Sequence, residues 1–301
     1  MKNYFDASEI LALQSLDDLP SERGVFRYFV FGNPIHHSKS PEMHHAALDG
    51  LKMNESYGRI KLDEYEVKPV LKHLQSLGCK GVNVTVPHKF EAFKACDQLG
   101  ECAAEFGAVN TVEFLPNGEL KGYNTDGGGF VKAVEQDFDT NIQNLTIAVI
   151  GAGGGAGTAI SQACANHQVK RLLLANRSTD KIEVLKERIQ AKHPELEIET
   201  VAIQELTSHA WFADINVFAN ATSLGLKVDD PLPFDASQLS SKQAVYDTIY
   251  NPDPTALLAE AKAQGAQTSN GKSMLAWQGA LAFEIWNNTL PNVRLMYQAI
   301  G

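Results

Sequence analysis

The sequence predicts an α/β protein of two domains. A chain of 301 residues is long enough for two domains of ordinary size, each with its own core. Short apolar, β-branched segments alternate along it with segments of helical spacing, the order typical of sheets covered by helices. A glycine-rich turn at residues 151–157 joins one such strand to a helix and places a second domain in the later part of the chain.

The glycine-rich turn is the most specific signal in the chain. Ile147–Ile150 reads as a strand buried on both faces, and 158–165 reads as the helix that follows. Gly151, Gly153 and Ala156 fit the pattern G-x-G-x-x-G/A. The first glycine permits the tight turn, the second lets backbone approach a pyrophosphate, and Ala156 allows close helix packing. An ordinary glycine-rich turn is the alternative, but the flanking strand and helix favour a dinucleotide site with phosphates at the helix N-terminus.

Composition and charge exclude several classes of partner. The chain is 44% hydrophobic and 21% charged, as globular proteins are, and its net charge of -10 argues against nucleic acid and anionic membrane. Anionic ligands must therefore be attracted by local positive groups. The N-terminus lacks the apolar core of a signal peptide, and no run of about 18 apolar residues occurs. We expect a cytoplasmic protein with reduced thiols at Cys79, Cys96, Cys102 and Cys164.

The first segment of interest lies around residue 40. Residues 1–24 form an extension in which Ser8 is predicted to cap a helix that places Ile10, Leu13 and Leu16 on one side. A strand at 26–31 and a turn at 32–34 follow. Ser40 and Pro41 have the pattern of a helix N-cap and first residue, and Ser38 lies just before them. Capping accounts for Ser40 and leaves Ser38 unexplained.

Four histidines near this helix raise the question of a metal. His44 and His45 are adjacent and would point apart on a helix, and no carboxylate or cysteine completes a ligand set with His36 and His37. We therefore predict no metal site.

Residues 81–89 form the next segment with polar groups in an apolar context. A strand at 57–62 and a helix at 67–77 precede it. One face of the predicted strand carries Val82, Val84 and Val86. Asn83 and Thr85 project from the other face, which is expected to line a cleft. Pro87 stops the strand, so Lys89 lies near its carboxyl end, where open α/β sheets bind ligands. A surface lysine at a helix start is the alternative.

The remaining elements complete the two domains. We predict a strand at 108–114 that carries Asn110, a turn at 116–118, a strand ending at Tyr123, and a helix from Asp126 to Phe138 that Thr125 or Asp126 could cap. Further strands are predicted at 171–175, 215–218 and 243–248. A helix at 273–286 carries Gln278, and a last helix follows Pro291.

The end of the strand at 171–175 indicates the type of dinucleotide. An NAD-specific protein places an acidic residue there for the ribose 2′-hydroxyl, but this chain has Asn176, Arg177 and Ser178. An arginine without the acid favours the 2′-phosphate of NADP, and Lys181 is a possible second positive group.

These segments together resemble the shikimate dehydrogenase family over residues 27–300. The matching motifs are GNPIHHSKSPEMHH, GVNVTVPHK, GAVNT, YNTDGGG, IGAGGGA, NATSLG, YDTIYNP and GKSMLAWQGALAFEIW. The resemblance implies a substrate domain, 1–125 completed by 271–301, and a Rossmann-type NADP-binding domain, 126–270, with the active site in the cleft between them. It also implies reversible, NADP-dependent reduction of 3-dehydroshikimate to shikimate by a monomer or homodimer.

The same resemblance assigns roles to individual residues. Ser38 and Ser40 would hold the substrate carboxylate. The ring hydroxyls would be held by Asn83, Thr85, Asn110 and Gln278, with Tyr250 bordering the substrate. Lys89 and Asp126 would form the catalytic pair. The cofactor would contact Gly151, Ala152, Gly153, Gly154, Gly155, Ala156, Asn176, Arg177, Ser178, Lys181, Gly271 and Met274.

The chain departs from the family pattern at a few places. His45 stands where asparagine is usual, Gly157 stands where arginine is common, and the extension before residue 25 is longer than usual. Two other functions fit the motifs: a quinate/shikimate dehydrogenase that uses NAD, and a non-catalytic sensor of pathway metabolites. Arg177 argues against the first, and the presence of both Lys89 and Asp126 argues against the second, because a sensor needs no proton relay.

Overall fold

A computed structural model describes residues 3–227 and 229–301 of the chain. It forms two compact units: Met1–Thr125 with Gln278–Gly301, and Asp126–Trp277. Residues 271–277, which the resemblance places with the substrate domain, belong to the second unit. No helix in the described part of the chain is long and apolar enough to cross a membrane.

The first unit contains seven strands and six helices within the described residues. Its strands are β1 (Phe5–Asp6), β2 (Val25–Gly32), β3 (Glu55–Lys61), β4 (Gly81–Val84), β5 (Gln98–Leu99), β6 (Thr111–Phe114) and β7 (Leu120–Tyr123). Its helices before the second unit are α1 (Ala7–Leu11), α2 (Ser40–Gly50), α3 (Val67–Ser76), α4 (Lys89–Ala95) and α5 (Glu101–Phe106). The predicted strands at 26–31 and 57–62 and the helix at 67–77 are confirmed; the strand at 108–114 begins only at Thr111.

In the first sheet, β2 lies between β3 and β4. Its order is β1-β3-β2-β4-β6-β7-β5, parallel from β1 to β4 and antiparallel between β4, β6 and β7. Phe29, Val30 and Phe31 are buried, as strands covered on both faces are. The two strands that follow β2 in the chain lie on opposite sides of it, so the strand order reverses between β2 and β4. Ligands of open α/β sheets bind at the carboxyl ends of strands at such a reversal.

The N-terminal extension is part of this unit. Phe5 and Asp6 pair with Ile60 and Lys61 of β3, and Ile10 is fully buried in the core of the unit. The predicted Ser8 cap is wrong: Asp6 is the N-cap and forms a capping box with Glu9. The helix is also shorter than expected, because α1 ends at Leu11, before Leu13 and Leu16.

Two other local predictions for this unit are wrong. Lys39 is the N-cap residue of α2, and Ser40 is already the first helical residue, so Ser40 does not cap it. The strand β4 ends at Val84, and Val86 is 69% exposed instead of lying on the buried face. The reason is the turn at 85–88, in which the His88 N–H donates to the Thr85 carbonyl and breaks the alternation.

The second unit contains a six-stranded parallel sheet. Its strands are β8 (Thr146–Ile150), β9 (Arg171–Asn176), β10 (Glu197–Ala202), β11 (Val217–Asn220), β12 (Ala244–Asp247) and β13 (Gln267–Asn270). Its helices are α6 (Asp126–Asp137), α7 (Gly155–Asn166), α8 (Asp180–Lys192) and α9 (Ala256–Ala263). The helix α10 (Lys272–Asn287) begins in this unit and ends in the first, which also holds α11 (Val293–Ala299).

The strand order of this sheet is β10-β9-β8-β11-β12-β13. Numbered within the unit, this is 3-2-1-4-5-6, the order of Rossmann-type dinucleotide-binding folds, with its reversal between β8 and β11. The strand predicted at 215–218 begins two residues later, at Val217, and those predicted at 171–175 and 243–248 are confirmed. The sheet therefore places the glycine-rich turn, which follows β8, beside the loop after β11.

His45 protects the open edge of β3 in the first unit. The short β1 covers only the end of β3, and the Tyr57 N–H earlier in β3 donates to His45 Nε2 at 3.0 Å. Burial, with Arg23 nearby, lowers the pKa of His45 to about 4, and Asp49 and Glu42 oppose this effect. A protonated imidazole cannot accept the Tyr57 bond. Burial also lowers the pKa of the adjacent His44 to about 3.

His45→Asn should make the stability of the protein less dependent on pH. The stability contributed by neutral His45 is present above about pH 6.5, where the unfolded imidazole titrates, and is lost as pH falls toward the folded value. From about pH 7 to about pH 5, the Tm of the wild type should fall more steeply than that of His45→Asn. His36→Asn, at an exposed histidine, is the control and should keep the wild-type slope. Equal slopes in all three proteins would contradict this assignment.

Candidate active site

A buried network of polar side chains lies at the carboxyl ends of β2 and β4 in the first unit. Asn83 of β4 is 5% exposed, and its Nδ2 donates to the Asn110 carbonyl at 3.3 Å and to Thr111 Oγ1 at 3.1 Å. The Thr111 hydroxyl donates to Asn110 Oδ1 at 3.0 Å. Buried polar groups need such partners, since an unpaired one costs about 1–3 kcal/mol. The network therefore holds two predicted substrate residues, Asn83 and Asn110, in fixed orientations.

Tyr57 joins this network from β3, and sequence reasoning missed it. Its hydroxyl donates to Asn83 Oδ1 at 2.7 Å. Tyr57 also shares a hydrogen bond with the Ser40 side chain. Burial raises the pKa of Tyr57 well above its usual value, so the hydroxyl remains a donor. The ring of His44 stacks on the Tyr57 ring with centroids 4.3 Å apart. A tyrosine in the middle of a buried strand signals such a role, because its hydroxyl usually finds a buried partner.

The two serines lie together at the start of α2. The Ser38 hydroxyl donates to Ser40 Oγ at 3.2 Å, and the Ser40 N–H donates to Ser38 Oγ at 3.3 Å. Ser38 is held in its turn by its N–H bond to the Ile35 carbonyl, 3.0 Å. Through Tyr57, this serine pair is continuous with the network of Asn83 and Asn110. Two hydroxyls and the first turn of a helix can bind a carboxylate.

Thr85, Lys89 and Gln278 lie on segments near this network. The Thr85 N–H donates to the Phe31 carbonyl at 2.9 Å, which places Thr85 beside the end of β2, one residue after β4. Lys89 is the first residue of α4, and its carbonyl accepts the Val109 N–H at 3.0 Å, one residue before Asn110. Gln278 begins the part of α10 in this unit, next to a glycine that lets α10 approach α2.

Thr125 belongs to the network and is more than a helix cap. Its N–H donates to Asn110 Oδ1 at 2.9 Å, and its Oγ1 accepts from Asn110 Nδ2 at 3.0 Å. Asp126 follows it in the chain as the first residue of α6. Lys89 and Asp126 belong to different units, and their pairing stays a prediction.

The second unit contains the predicted nucleotide residues around its glycine-rich turn. Gly151 has φ +82, a left-handed conformation that favours glycine, and a Cβ there would lie 2.7 Å from the Thr222 side chain. A Cβ on Gly153 would lie 2.9 Å from Asn176 Nδ2 and 3.3 Å from Lys181 Cβ. The turn is therefore in contact with the end of β9, where the 2′-phosphate residues were predicted.

The role predicted for Ala156 belongs to Gly157. Ala156 is exposed, whereas Gly157 is buried, and a Cβ on Gly157 would lie 2.2 Å from the Gly151 carbonyl oxygen. Close packing of α7 on the turn after β8 thus requires Gly157. The fingerprint spacing indicated the wrong residue because α7 begins at Gly155, earlier than predicted.

The N-terminus of α7 and the end of β9 suit a phosphorylated ligand. Gly154 is the N-cap of α7 and supplies no side chain to its first N–H groups. Arg177, Ser178 and Lys181 are exposed, and Asn176 Nδ2 donates to the Ser178 carbonyl at 2.8 Å. The end of β9 carries no carboxylate, the group that would read a ribose 2′-hydroxyl.

Asn220 and Asp247 hold the loops after β11 and β12, and the sequence analysis did not identify them. Asn220 Nδ2 donates to Asp247 Oδ1 at 3.0 Å, and Thr255 donates to Asp247 Oδ2 at 2.7 Å. Burial raises the pKa of Asp247 above its usual value. These bonds brace the segment 248–255, which includes Tyr250. The sequence signal that could have identified them is a polar residue at the end of each of two buried strands.

The other cofactor residues predicted in this unit lie beside that segment. A Cβ on Gly271 would lie 2.0 Å from the Thr248 carbonyl oxygen, and the Met274 N–H donates to the Tyr246 hydroxyl at 3.0 Å.

The fold and these two groups of residues define a protein with a Rossmann-type unit and a separate α/β unit that carries a buried polar site. Three domain families match the sequence: "Shikimate dehydrogenase substrate binding domain" at residues 30–112, "Shikimate / quinate 5-dehydrogenase" at 132–227, and "Shikimate 5'-dehydrogenase C-terminal domain" at 271–300. The chain belongs to the shikimate dehydrogenase family.

Individual relatives cover nearly the whole chain. Shikimate dehydrogenase (NADP(+)) of Bacillus licheniformis is 37% identical over 89% of this chain and 94% of its own. The crystal structure of shikimate 5-dehydrogenase from Listeria monocytogenes, in complex with shikimate and NAD, matches with a TM-score of 0.85 and 32% identity over 94% of this chain and 99% of that one. Quinate dehydrogenase from Corynebacterium glutamicum, in complex with NAD, has a TM-score of 0.80 and 27% identity over 91% and 98%.

Gly157→Ala should destabilise the protein, whereas Ala156→Ser should not. The added methyl group meets backbone at 2.2 Å and cannot be accommodated without moving α7. Overpacking of this kind lowers the free energy of unfolding by about 1–3 kcal/mol. A substitution at an exposed position such as Ala156 changes it by no more than about 0.5 kcal/mol. The Tm of the two variants, measured side by side, checks this difference. Equal Tm values would show that α7 does not pack through Gly157.

Proposed function

We propose that this protein catalyses the reversible, NADP-dependent reduction of 3-dehydroshikimate to shikimate. The observation that carries the proposal is the network of hydrogen bonds that joins the serine pair, through Tyr57, to Asn83 and Asn110 at the strand-order reversal of the first unit. Membership of the family and the relatives named for this activity support it. A rigid set of neutral donors and acceptors suits a small polyhydroxylated acid.

We further propose how the substrate is held. Ser38 and Ser40 bind its carboxylate through their hydroxyls at the first turn of α2. Its ring hydroxyls are bound by Asn83, Thr85, Asn110 and Gln278, with Tyr250 bordering the ring. Because the orientations of Asn83 and Asn110 are fixed by neighbours before binding, little ordering free energy is spent on them.

The residues of the second unit fit NADP. Bound NADPH supplies a hydride to the substrate carbonyl carbon. Backbone of the turn Gly151–Ala156 and the N-terminus of α7 would hold the pyrophosphate, with Gly271 and Met274 nearby. Asn176, Arg177, Ser178 and Lys181 would hold the 2′-phosphate, since a guanidinium binds phosphate well and no carboxylate ends β9 to repel it.

Lys89 and Asp126 complete the proposed chemistry. When the hydride reaches the carbonyl carbon, the carbonyl oxygen must take up one proton, and the Lys89 ammonium donates it. In the reverse direction, the neutral amine accepts the hydroxyl proton. The Asp126 carboxylate keeps the Lys89 side chain in place. We also propose that the enzyme works in the cytoplasm, as a monomer or homodimer.

An assay of four substrate and cofactor pairs tests the function. Oxidation of shikimate or quinate is followed with NADP or NAD by absorbance of the reduced nicotinamide. Shikimate with NADP should give the highest kcat/KM, because Arg177 replaces the acid that NAD requires. Quinate with NAD as the best pair would establish the alternative dehydrogenase, and turnover with no pair would indicate a metabolite sensor.

Lys89→Ala should lower kcat by roughly 10²–10⁴ with much less change in the KM for shikimate, the span expected for loss of a general acid–base. Lys89→Arg should not restore activity, because a guanidinium does not release its proton at working pH. Asp126→Asn should also be slow, and the double variant should be far less impaired than the product of the two losses. A near-normal kcat in Lys89→Ala would contradict the mechanism and favour the alternative that Lys89 is an ordinary surface lysine.

A further inference from the structure

Arg59 of β3 contacts the segment that carries the proposed carboxylate-binding serines. Its Nε and Nη2 both donate to the Ser38 backbone carbonyl, at 3.0 and 2.5 Å. Its Nη2 also lies 2.9 and 2.8 Å from the two carboxylate oxygens of Glu42, in the first turn of α2. The Arg59 side chain is only 11% exposed. One guanidinium thus joins β3, the turn that carries Ser38 and the helix that follows it.

We propose that Arg59, oriented by Glu42, is a positioning residue that fixes Ser38 for binding of the substrate carboxylate. This inference rests on the proposed function. Ser38 lies in a turn before α2, where no regular structure holds its peptide unit. Two donors on one carbonyl remove the rotation of that peptide, so the Ser38 hydroxyl keeps its contact with Ser40. A guanidinium suits this task because its donors are held in a rigid, planar arrangement.

Glu42 is needed to orient Arg59. The Glu42 carboxylate is 42% exposed, so the ion pair by itself contributes little to stability. Its effect is directional, since the carboxylate accepts from the same Nη2 that reaches the Ser38 carbonyl. Glu42→Gln keeps an oxygen acceptor and should therefore be milder than Glu42→Ala.

Arg23, in the same unit, is the control residue for Arg59. Arg23 forms an ion pair with Asp49 and, within the described structure, no hydrogen bond with Ser38 or Ser40. Arg23 and Arg59 both line one cavity of about 400 Å³, together with His45 and residues of the N-terminal extension. A shorter side chain at either position therefore enlarges an existing cavity, and both variants should fold.

The experiment compares Arg59→Gln, Arg59→Lys, Glu42→Ala and Arg23→Gln with wild type in the shikimate and NADP assay. Arg59→Gln should raise the KM for shikimate roughly 10- to 100-fold, the effect of losing a hydrogen bond to a charged group. Its kcat and its KM for NADP should stay within about threefold of wild type, because the proposed role of Ser38 is to bind the substrate carboxylate and involves neither the reacting atoms nor the cofactor. Arg59→Lys should restore part of the loss, and Arg23→Gln should leave the KM for shikimate unchanged.

Several results would overturn the inference. An unchanged KM for shikimate in Arg59→Gln would show that substrate binding does not depend on the bonds from Arg59 to Ser38. An equal increase in the KM of Arg23→Gln would show that the effect is not specific to Arg59. Parallel changes in kcat, both KM values and Tm would assign Arg59 a general structural role. If Arg59→Gln fails to fold, Glu42→Ala replaces it in the test, because Glu42 is the exposed ion-pair partner of Arg59. A raised KM for shikimate with little change in kcat would then support the inference, and an unchanged KM would overturn it. Absence of shikimate turnover in the wild type would instead refute the proposed function.

Discussion

The first unit depends on the requirement that polar groups buried within its mixed sheet be hydrogen-bonded. Asn83 satisfies it with Tyr57, Thr111 and the Asn110 carbonyl, and Asn110 satisfies it with Thr111 and Thr125. An isolated amide at either place would cost stability, and a partly bonded network would permit several orientations. The complete network therefore supplies both the stability of this end of the sheet and the fixed geometry of the proposed substrate site.

The second unit depends instead on close approach of backbone to backbone. Gly157 and Gly271 each occupy positions where a Cβ would lie about 2 Å from a carbonyl oxygen. These contacts bring α7 and the start of α10 against the carboxyl ends of the strands, where Asn220 and Asp247 brace the neighbouring loops. Small residues set the shape of the proposed nucleotide site, and exposed cations at the end of β9 supply the charge that the acidic chain as a whole lacks.

The sequence predicted the parts of this structure that local patterns determine. Buried β-branched strands and the glycine turn identified the sheet of the second unit, apart from β10 and β13, whose residues are largely polar or partly exposed. It did not predict the roles of Tyr57, Thr111, Asp247 and Arg59, because each role comes from hydrogen-bond partners that are distant in the chain. Gly157 was missed for another reason: the fingerprint fixes spacing from the first glycine, whereas the start of α7 decides which residue faces the turn.

Tyr57 holds Asn83 in the orientation proposed for substrate binding, and a comparison of Tyr57→Phe with Tyr28→Phe tests this role most directly. Both tyrosines are buried and hydrogen-bonded, but the Tyr28 hydroxyl lies 2.7 Å from Asn287 Oδ1 and 3.0 Å from Glu55 Oε2, away from Asn83. Each variant should lose about 1 kcal/mol of stability. Only Tyr57→Phe should raise the KM for shikimate, by roughly tenfold, because Asn83 Oδ1 loses its donor. An unchanged KM for shikimate in Tyr57→Phe, or equal increases in both variants, would show that Tyr57 does not orient Asn83 for the substrate.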